Sequence, residues 1–77
     1  MDNLLEVIAY ILKEIDGNGN PDSVQREYGI DSEKYIEILN VMVDDKYIIS
    51  HKIDMLGTPL PEESTITGKG YNLMRKF

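Results

Sequence analysis

The stretch IDSEKYIEILNVMVDDKYII, residues 30–49, decides the fold because its hydrophobic period changes along its length. Its first part repeats apolar side chains at helical spacing: Tyr35, Ile38, Leu39 and Met42. Asp31 precedes this run as a candidate N-cap, so we predict a helix that begins after it and runs to about Asp45. From Ile49 onward, apolar residues alternate with polar ones, which is typical of a β-strand. The chain therefore passes from a helix to a strand near Lys46.

Two more helices are predicted before this stretch. The first covers residues 3–16, and its apolar stripe consists of Leu4, Ile8, Ile11 and Ile15. Asp2 or Asn3 can cap it, and the glycine-rich loop at residues 17–21 ends it. A short second helix follows over residues 23–28, and the glycine after it stands where a left-handed residue normally ends a helix.

A hairpin and a last helix are predicted after the stretch. In the first strand, Ile49, His51, Ile53 and Met55 alternate with Ser50, Lys52 and Asp54. Residues 57–63 form a loop with two prolines, residues 64–66 return as a second strand, and Thr67 caps a helix over residues 68–76. This order predicts an α+β fold, a single winged helix-turn-helix domain over residues 1–77 with three helices, a β-hairpin wing and a C-terminal helix. We expect one core, formed by Ile8, Ile11, Ile15, Leu39, Met42 and Ile49.

Two short motifs resemble those of bacterial winged-helix regulators. One is Ile30-Asp31-Ser32 before a helix that ends in Asp45-Lys46-Tyr47-Ile48, and the other is Ile66-Thr67-Gly68-Lys69-Gly70-Tyr71 before an apolar helix end. The whole chain, from Leu5-Glu6-Val7 onward, most resembles the YjcQ-like family of small proteins from Gram-positive bacteria and their phages. This resemblance implies a winged-helix domain but no particular role. Many such regulators have glycine where this chain has Lys46, so Lys46 carries strain if that position is left-handed.

Composition limits the possible classes of function. With 77 residues, 42% of them hydrophobic and none of them cysteine, the chain is expected to be one small domain without disulfides. No apolar run is long enough to cross a membrane, and the acidic N-terminus is unlike a signal peptide, so we expect a cytoplasmic protein. The formal charge is −6. Residues 46–77 hold three acids and five bases, so an anion-binding surface is expected only there.

Three patterns that resemble catalytic or ligand-binding motifs fail at specific residues. Asp16, Asn18, Asn20 and Glu27 have calcium-loop spacing, but Pro21 stands where that loop needs a glycine. Gly68-Lys69-Gly70 lacks the other glycine and the Ser or Thr of a phosphate-binding loop. His51 is the only histidine, and it is expected to be a half-buried strand residue. We therefore predict no enzymatic activity, no metal and no cofactor.

Function is expected to depend on the third helix. In a helix-turn-helix domain the start of this helix reaches base edges, while other elements hold the phosphates. The side chains that could contact double-stranded DNA are Ser32, Lys34, Asn40, Lys52, Lys69 and Arg75. The outer face of the same helix also carries acids, which form an alternative surface for a protein partner: Glu33, Glu37 and Asp44.

Two functions therefore stay open. One is a DNA-associated regulatory or accessory protein of bacterial or phage origin, favoured by the fold and by the basic C-terminal part. The other is a degenerate winged helix that binds a basic protein. It is favoured because the third helix carries net negative charge, whereas a helix that faces phosphates normally carries net positive charge. We place DNA association first. The cations are few, so one copy would bind DNA weakly, and a homodimer would double them.

Overall fold

Four α-helices and two short β-strands make up the part of the chain that the computed structural model describes, residues 3–77. The helices are α1 (Leu4–Asp16), α2 (Val24–Tyr28), α3 (Ser32–Asp44) and α4 (Gly68–Met74). The strands β1 (Ile48–Ser50) and β2 (Ser64–Ile66) form an antiparallel hairpin. Short 3₁₀ turns at Pro21–Ser23 and Pro61–Glu63 precede α2 and β2. The predicted α+β class and order of elements are confirmed, and the order is compatible with a winged helix.

Side-chain caps begin α3 and α4 as predicted. The Asp31 carboxylate accepts the backbone N–H of Lys34 at 2.8 Å, and the Thr67 hydroxyl accepts that of Gly70 at 3.1 Å. Such caps satisfy N–H groups that have no partner inside the helix. Asn3 is the N-cap residue of α1, but its side chain makes no capping hydrogen bond. Asp2, the other cap predicted for α1, lies outside the described residues.

Three helices are followed by a residue in the left-handed conformation: Asn18 after α1, Gly29 after α2 and Lys46 after α3. After α3, the Tyr47 N–H donates to the Met42 carbonyl and the Lys46 N–H donates to the Val43 carbonyl. These are the two bonds of a Schellman motif, whose left-handed position favours glycine. The φ angle of Lys46 is 65°, so the strain expected there is present and costs about 1 kcal/mol.

One hydrophobic core joins the helices and β1. α1 contributes most to it, with Val7, Ile8, Ala9, Ile11 and Leu12. The residues predicted on α3 are also buried, namely Tyr35, Ile38, Leu39 and Met42. α1 packs against α2, α4 and β2, while α3 packs against β1. The core positions predicted for Ile8, Ile11, Leu39 and Met42 are confirmed, and Ile15 packs at the edge of the core.

The core position predicted for Ile49 is wrong. Ile48 is 1% exposed and Ile49 is 53% exposed. Successive strand residues point to opposite faces, so a shift of one residue turns the whole alternating set toward solvent. His51 is accordingly exposed rather than half-buried. The regular strand is also shorter than predicted, because β1 ends at Ser50 and only a single bridge, Ile53 to Pro59, continues the pairing in the described chain.

α4 approaches the neighbouring backbone closely at Gly70. A Cβ atom on Gly70 would lie 2.5 Å from the carbonyl oxygen of Tyr47 and 2.8 Å from Cγ2 of Ile66. The Thr67 hydroxyl also donates to the Lys46 carbonyl at 2.6 Å. α4 can therefore pack this closely only if residue 70 has no side chain, which accounts for the glycine at this position of the motif.

Candidate interaction surface

The outer face of α3 is exposed and carries mostly acids. Its predicted members are all exposed, namely Glu33, Lys34, Glu37, Asn40 and Asp44. The Lys34 ammonium lies 3.2 Å from the Glu37 carboxylate, so the cation of this face is balanced by its own neighbour. Exposed pairs of this kind are worth little and exchange readily. The face therefore presents net negative charge to a partner.

The other DNA-contact candidates on α3 and the hairpin differ in how they are engaged. The Asn40 side-chain amide donates to the carbonyl of Ile36 at 3.1 Å. To reach an adenine edge, it has to give up this bond. Ser32 and Lys52 are both exposed. Within residues 3–77 their side chains make no hydrogen bond or ion pair.

The two candidates on and after α4 are turned toward their own chain. The Lys69 ammonium donates to the Asp45 carbonyl at 2.7 Å and lies 4.5 Å from the centre of the Tyr47 ring. The Arg75 guanidinium donates to the Asn72 side chain at 2.9 Å. Lys69 thus sits at the C-terminal end of α3. Lys34 precedes Asp45 by eleven residues, which is about 16 Å along a helix, so these two cations do not form one cluster.

The tip of the hairpin is a well-defined turn. The Gly57 N–H donates to the Asp54 carbonyl at 3.0 Å, and the Asp54 N–H donates to the Thr58 carbonyl at 2.9 Å. Gly57 has a φ of 82°, as in a three-residue hairpin loop with a left-handed glycine. The Asp54 carboxylate accepts the N–H groups of Leu56 at 2.8 Å and Thr58 at 2.9 Å. Asp54 therefore holds the tip in one conformation.

That turn holds two large apolar side chains out in solvent. Met55 is completely exposed and Leu56 is 88% exposed, at positions where turns usually carry polar residues. Ile49 and Ile53, on the same hairpin, are also exposed. We call these four residues the hairpin surface. Apolar side chains grouped on an exposed element mark sites of interaction.

A hollow of about 300 Å³ lies between α3 and the hairpin. Its apolar wall includes Ile36, Leu39, Leu56 and Leu60, and its polar lining includes Asp22, Tyr35 and Glu62. Because Leu56 belongs to both, the hollow is continuous with the hairpin surface.

Tyr35 is the unusual polar group of this hollow. Its side chain is 7% exposed, and its hydroxyl meets no hydrogen-bond partner within 3.5 Å among residues 3–77, although the Asp22 carboxylate is close enough to interact with it. Burial, followed by the nearby Asp22 carboxylate and then Glu62, raises the pKa of the Tyr35 hydroxyl above its usual value.

The residues of the rejected motifs have structural contacts of their own. The His51 Nε2 atom lies 2.6 Å from the Thr65 hydroxyl across the two strands. The Asn20 side chain accepts the Asp22 N–H at 3.1 Å and so caps the turn that begins at Pro21. In the described range, no group of three or more His, Cys, Asp or Glu side chains could hold a metal ion. None of the helices in that range combines the length and apolar character needed to cross a membrane.

Comparison with protein-family models, with curated proteins and with solved structures finds no match for this chain. The resemblance to the YjcQ-like family therefore stays a prediction, as do the DNA and protein partners.

Sequence reasoning missed both the hairpin surface and the hollow. Alternation identifies a strand but does not say which of its faces meets the core. One feature of the sequence could have revealed the hairpin surface. Met55 and Leu56 directly precede Gly57, and the neighbours of a glycine in a hairpin turn are themselves exposed turn residues. The hollow combines positions 22, 35 and 62, which no local pattern relates.

Proposed function

We propose that this domain is a non-catalytic winged-helix module that binds a basic protein through its hairpin surface and the acidic face of α3. The observation that carries the proposal is the hairpin tip, where a hydrogen-bonded turn fixes Met55 and Leu56 in an exposed position. Because the backbone of this turn is already ordered, binding does not have to order it, so more of the gain from burying the two side chains is retained.

Burial of the hairpin surface supplies the attractive part of this interaction. Full burial of a Leu, Ile or Met side chain is worth about 1.5–3 kcal/mol, and interfaces concentrate their binding energy in a few such residues. Met is common at protein-binding surfaces because its flexible side chain adapts to different partners. Four exposed apolar residues on one hairpin therefore give the module an anchor.

Charge supplies the selectivity. The acids Glu33, Glu37 and Asp44 face solvent on α3, and the chain as a whole carries −6. A field of this sign speeds association with a cationic partner and slows association with a polyanion. The partner expected from these features is a protein segment that combines apolar and basic residues.

Selection of displayed random peptides on the immobilised domain tests this function. We expect enrichment of peptides that combine apolar residues with lysine or arginine. A matched selection on the Glu33→Lys, Glu37→Lys double variant should lose the basic residues while keeping the apolar ones. Failure to enrich any peptide on the wild-type domain would contradict the proposal.

DNA association is the second candidate. It is favoured by the exposure of Ser32 at the start of α3 and of Lys52 in the hairpin, because a winged helix lays these two elements against a duplex. Titration of random duplex DNA against salt tests it, with a log–log slope of about −0.9 per phosphate contacted. Lys52→Glu should weaken binding to all sequences alike, and Asn40→Ala should alter sequence preference. Steep salt dependence without any peptide enrichment would favour DNA.

A further inference from the structure

We infer that a cavity between α1, the end of α2 and Phe77 binds a small zwitterion of the betaine class, in which a trimethylammonium group is linked to a carboxylate. The cavity measures about 320 Å³, and it is lined by Glu6, Tyr10, Lys13, Tyr28 and Phe77. We call it the aromatic cavity. It contains no residue of the hairpin surface or of the acidic face of α3, so this inference is independent of the proposed protein-binding function.

Aromatic rings are concentrated at this cavity. The chain has five tyrosines and one phenylalanine, and half of these six rings line the same space. None of the three is fully buried, and Phe77 is 52% exposed, so packing of the core does not account for all of their surface. The face of an aromatic ring carries negative potential, which attracts a cation. Accessible rings around one cavity therefore favour a cationic group.

Two of the rings already form a corner of the cavity. Tyr10 and Tyr28 stand at 81° to one another, with their ring centroids 5.7 Å apart. The Tyr10 hydroxyl lies 2.7 Å from Oγ of Ser23, and the Tyr28 hydroxyl donates to the Glu6 carboxylate at 2.8 Å. These bonds hold both rings before a ligand arrives, so binding does not have to order them. Aromatic walls in such an arrangement suit a rounded quaternary ammonium group.

The charged residues of the lining distinguish a zwitterion from a simple cation. Glu6, Tyr10 and Lys13 are spaced at i, i+4 and i+7, so they share one face of α1. Glu6 and Lys13 are about 10 Å apart along the helix axis. Lys13 would repel a ligand that carries only a positive charge. A ligand with both charges can place its cation near Glu6 and its carboxylate near Lys13, and it gains at each end.

The hydrogen bonds of the lining favour a methylated ammonium group over a primary one. A primary ammonium brings three N–H donors that need acceptors. Among residues 3–77 the lining offers one side-chain carboxylate, that of Glu6, which already accepts from Tyr28. The Tyr10 hydroxyl is likewise engaged, with Ser23. A trimethylammonium group has no N–H to satisfy and interacts with the ring faces instead.

An NMR titration of the whole domain with γ-butyrobetaine tests this site. We expect saturable shifts of residues that line the aromatic cavity, with a Kd of about 1 mM for so small a ligand. In 5,5-dimethylhexanoate a carbon atom replaces the charged nitrogen, and 4-aminobutanoate lacks the three methyl groups. Each analogue should bind at least about tenfold more weakly, because the first has no cation and the second has no methyl surface for the rings.

Substitutions at the rings separate the aromatic face from the hydroxyl. Tyr28→Leu should weaken γ-butyrobetaine binding about tenfold, whereas Tyr28→Phe keeps the ring and should weaken it less than about threefold. Phe77→Leu should also weaken binding, and its exposed position spares the fold. Tyr71→Leu is the matched control, because Tyr71 is exposed on α4 and lies outside the cavity, so the Kd should stay unchanged.

Substitution of the cation in the lining tests the zwitterion directly. Lys13→Gln should weaken γ-butyrobetaine binding about fivefold, because the carboxylate loses its partner, but should strengthen binding of butyltrimethylammonium, because a like charge is removed. Glu6→Gln should weaken both ligands. The inference is overturned if γ-butyrobetaine gives no saturable shift, if 5,5-dimethylhexanoate binds equally well, if Tyr28→Leu binds as tightly as the wild type, or if Lys13→Gln changes both affinities in the same direction.

Discussion

α1 and the hairpin contain the same kinds of apolar residue, but α1 buries them and the hairpin exposes them. α1 buries Val7, Ile8, Ala9, Ile11 and Leu12 against the rest of the domain. The hairpin leaves Ile49, Ile53, Met55 and Leu56 in solvent. The residues of α1 are therefore needed for the fold, whereas those of the hairpin surface are available for another molecule.

The largest loss in the free energy of unfolding is expected for a substitution in the core, and almost none for a substitution in the hairpin surface. Ile11→Ala should lower the free energy of unfolding by about 2–5 kcal/mol, because it removes a fully buried side chain and leaves a cavity. Met55→Ala should change it by less than about 0.5 kcal/mol, since Met55 has no burial to lose. Urea unfolding of the two variants measures both values. Equal losses would contradict the contrast between the two regions.

The next largest loss of stability is expected where α4 packs against the turn that joins α3 to β1. Gly70→Ala should destabilise the domain by about 1–3 kcal/mol, because the new Cβ atom would overlap the backbone of Tyr47. Gly68→Ala is the matched control on the same helix, since no atom lies within 4 Å of a Cβ atom there. Its melting temperature should equal or exceed that of the wild type. A similar loss for both variants would show that the close approach at Gly70 is not the cause.

Tyr35, between the core and the hairpin, should make stability depend on alkaline pH. Burial and the Asp22 and Glu62 carboxylates raise the pKa of its hydroxyl in the folded state. The unfolded chain loses this proton near pH 10, so the free energy of unfolding should fall above about pH 10, by up to about 1.4 kcal/mol per pH unit. Stability below that pH is unaffected by this group.

Urea unfolding at pH values on either side of about 10 measures this loss. Tyr35→Phe should reduce it, because the variant has no proton to lose. Tyr71→Phe is the control, since the Tyr71 hydroxyl is bound to Asp16 at the surface, and most of the loss should persist in that variant. An unchanged pH dependence in Tyr35→Phe would contradict the assignment.

The smallest change in stability is expected at the junction between α3 and the hairpin. Lys46→Gly should stabilise the domain by about 1 kcal/mol, because glycine adopts the left-handed conformation without the steric cost that lysine bears. Asn18→Gly should gain less, since asparagine tolerates this conformation better than lysine does. Thermal unfolding of both variants provides the test. A loss of stability in Lys46→Gly would mean that the lysine side chain makes a compensating contact.

The sequence predicted the helical part of the molecule well because its signals are local. The caps Asp31 and Thr67, the helix end at Gly29 and the stripes of α1 and α3 each depend on residues a few positions apart. The second strand, residues 64–66, was predicted with the bounds that the structure has.

The face of the first strand could not be predicted in the same way. Tyr47, Ile48 and Ile49 are all apolar, so no alternation identifies which of them meets the core. That choice is made by the Schellman turn at Lys46, which directs the chain from α3 into β1. The hollow was also beyond prediction, because Asp22, Tyr35 and Glu62 meet only in the folded chain.

If the hairpin surface serves binding rather than folding, the Met55→Ser, Leu56→Ser double variant should lose affinity for a peptide relative to the wild type while it keeps its stability. The measurement is the affinity of one enriched peptide for each protein by fluorescence anisotropy, with the melting temperature of each as the control for folding. We expect the double variant to lose at least about tenfold in affinity and to keep a melting temperature within about 4 °C of the wild type. Unchanged affinity, or a fall in melting temperature as large as that of Ile11→Ala, would contradict this expectation.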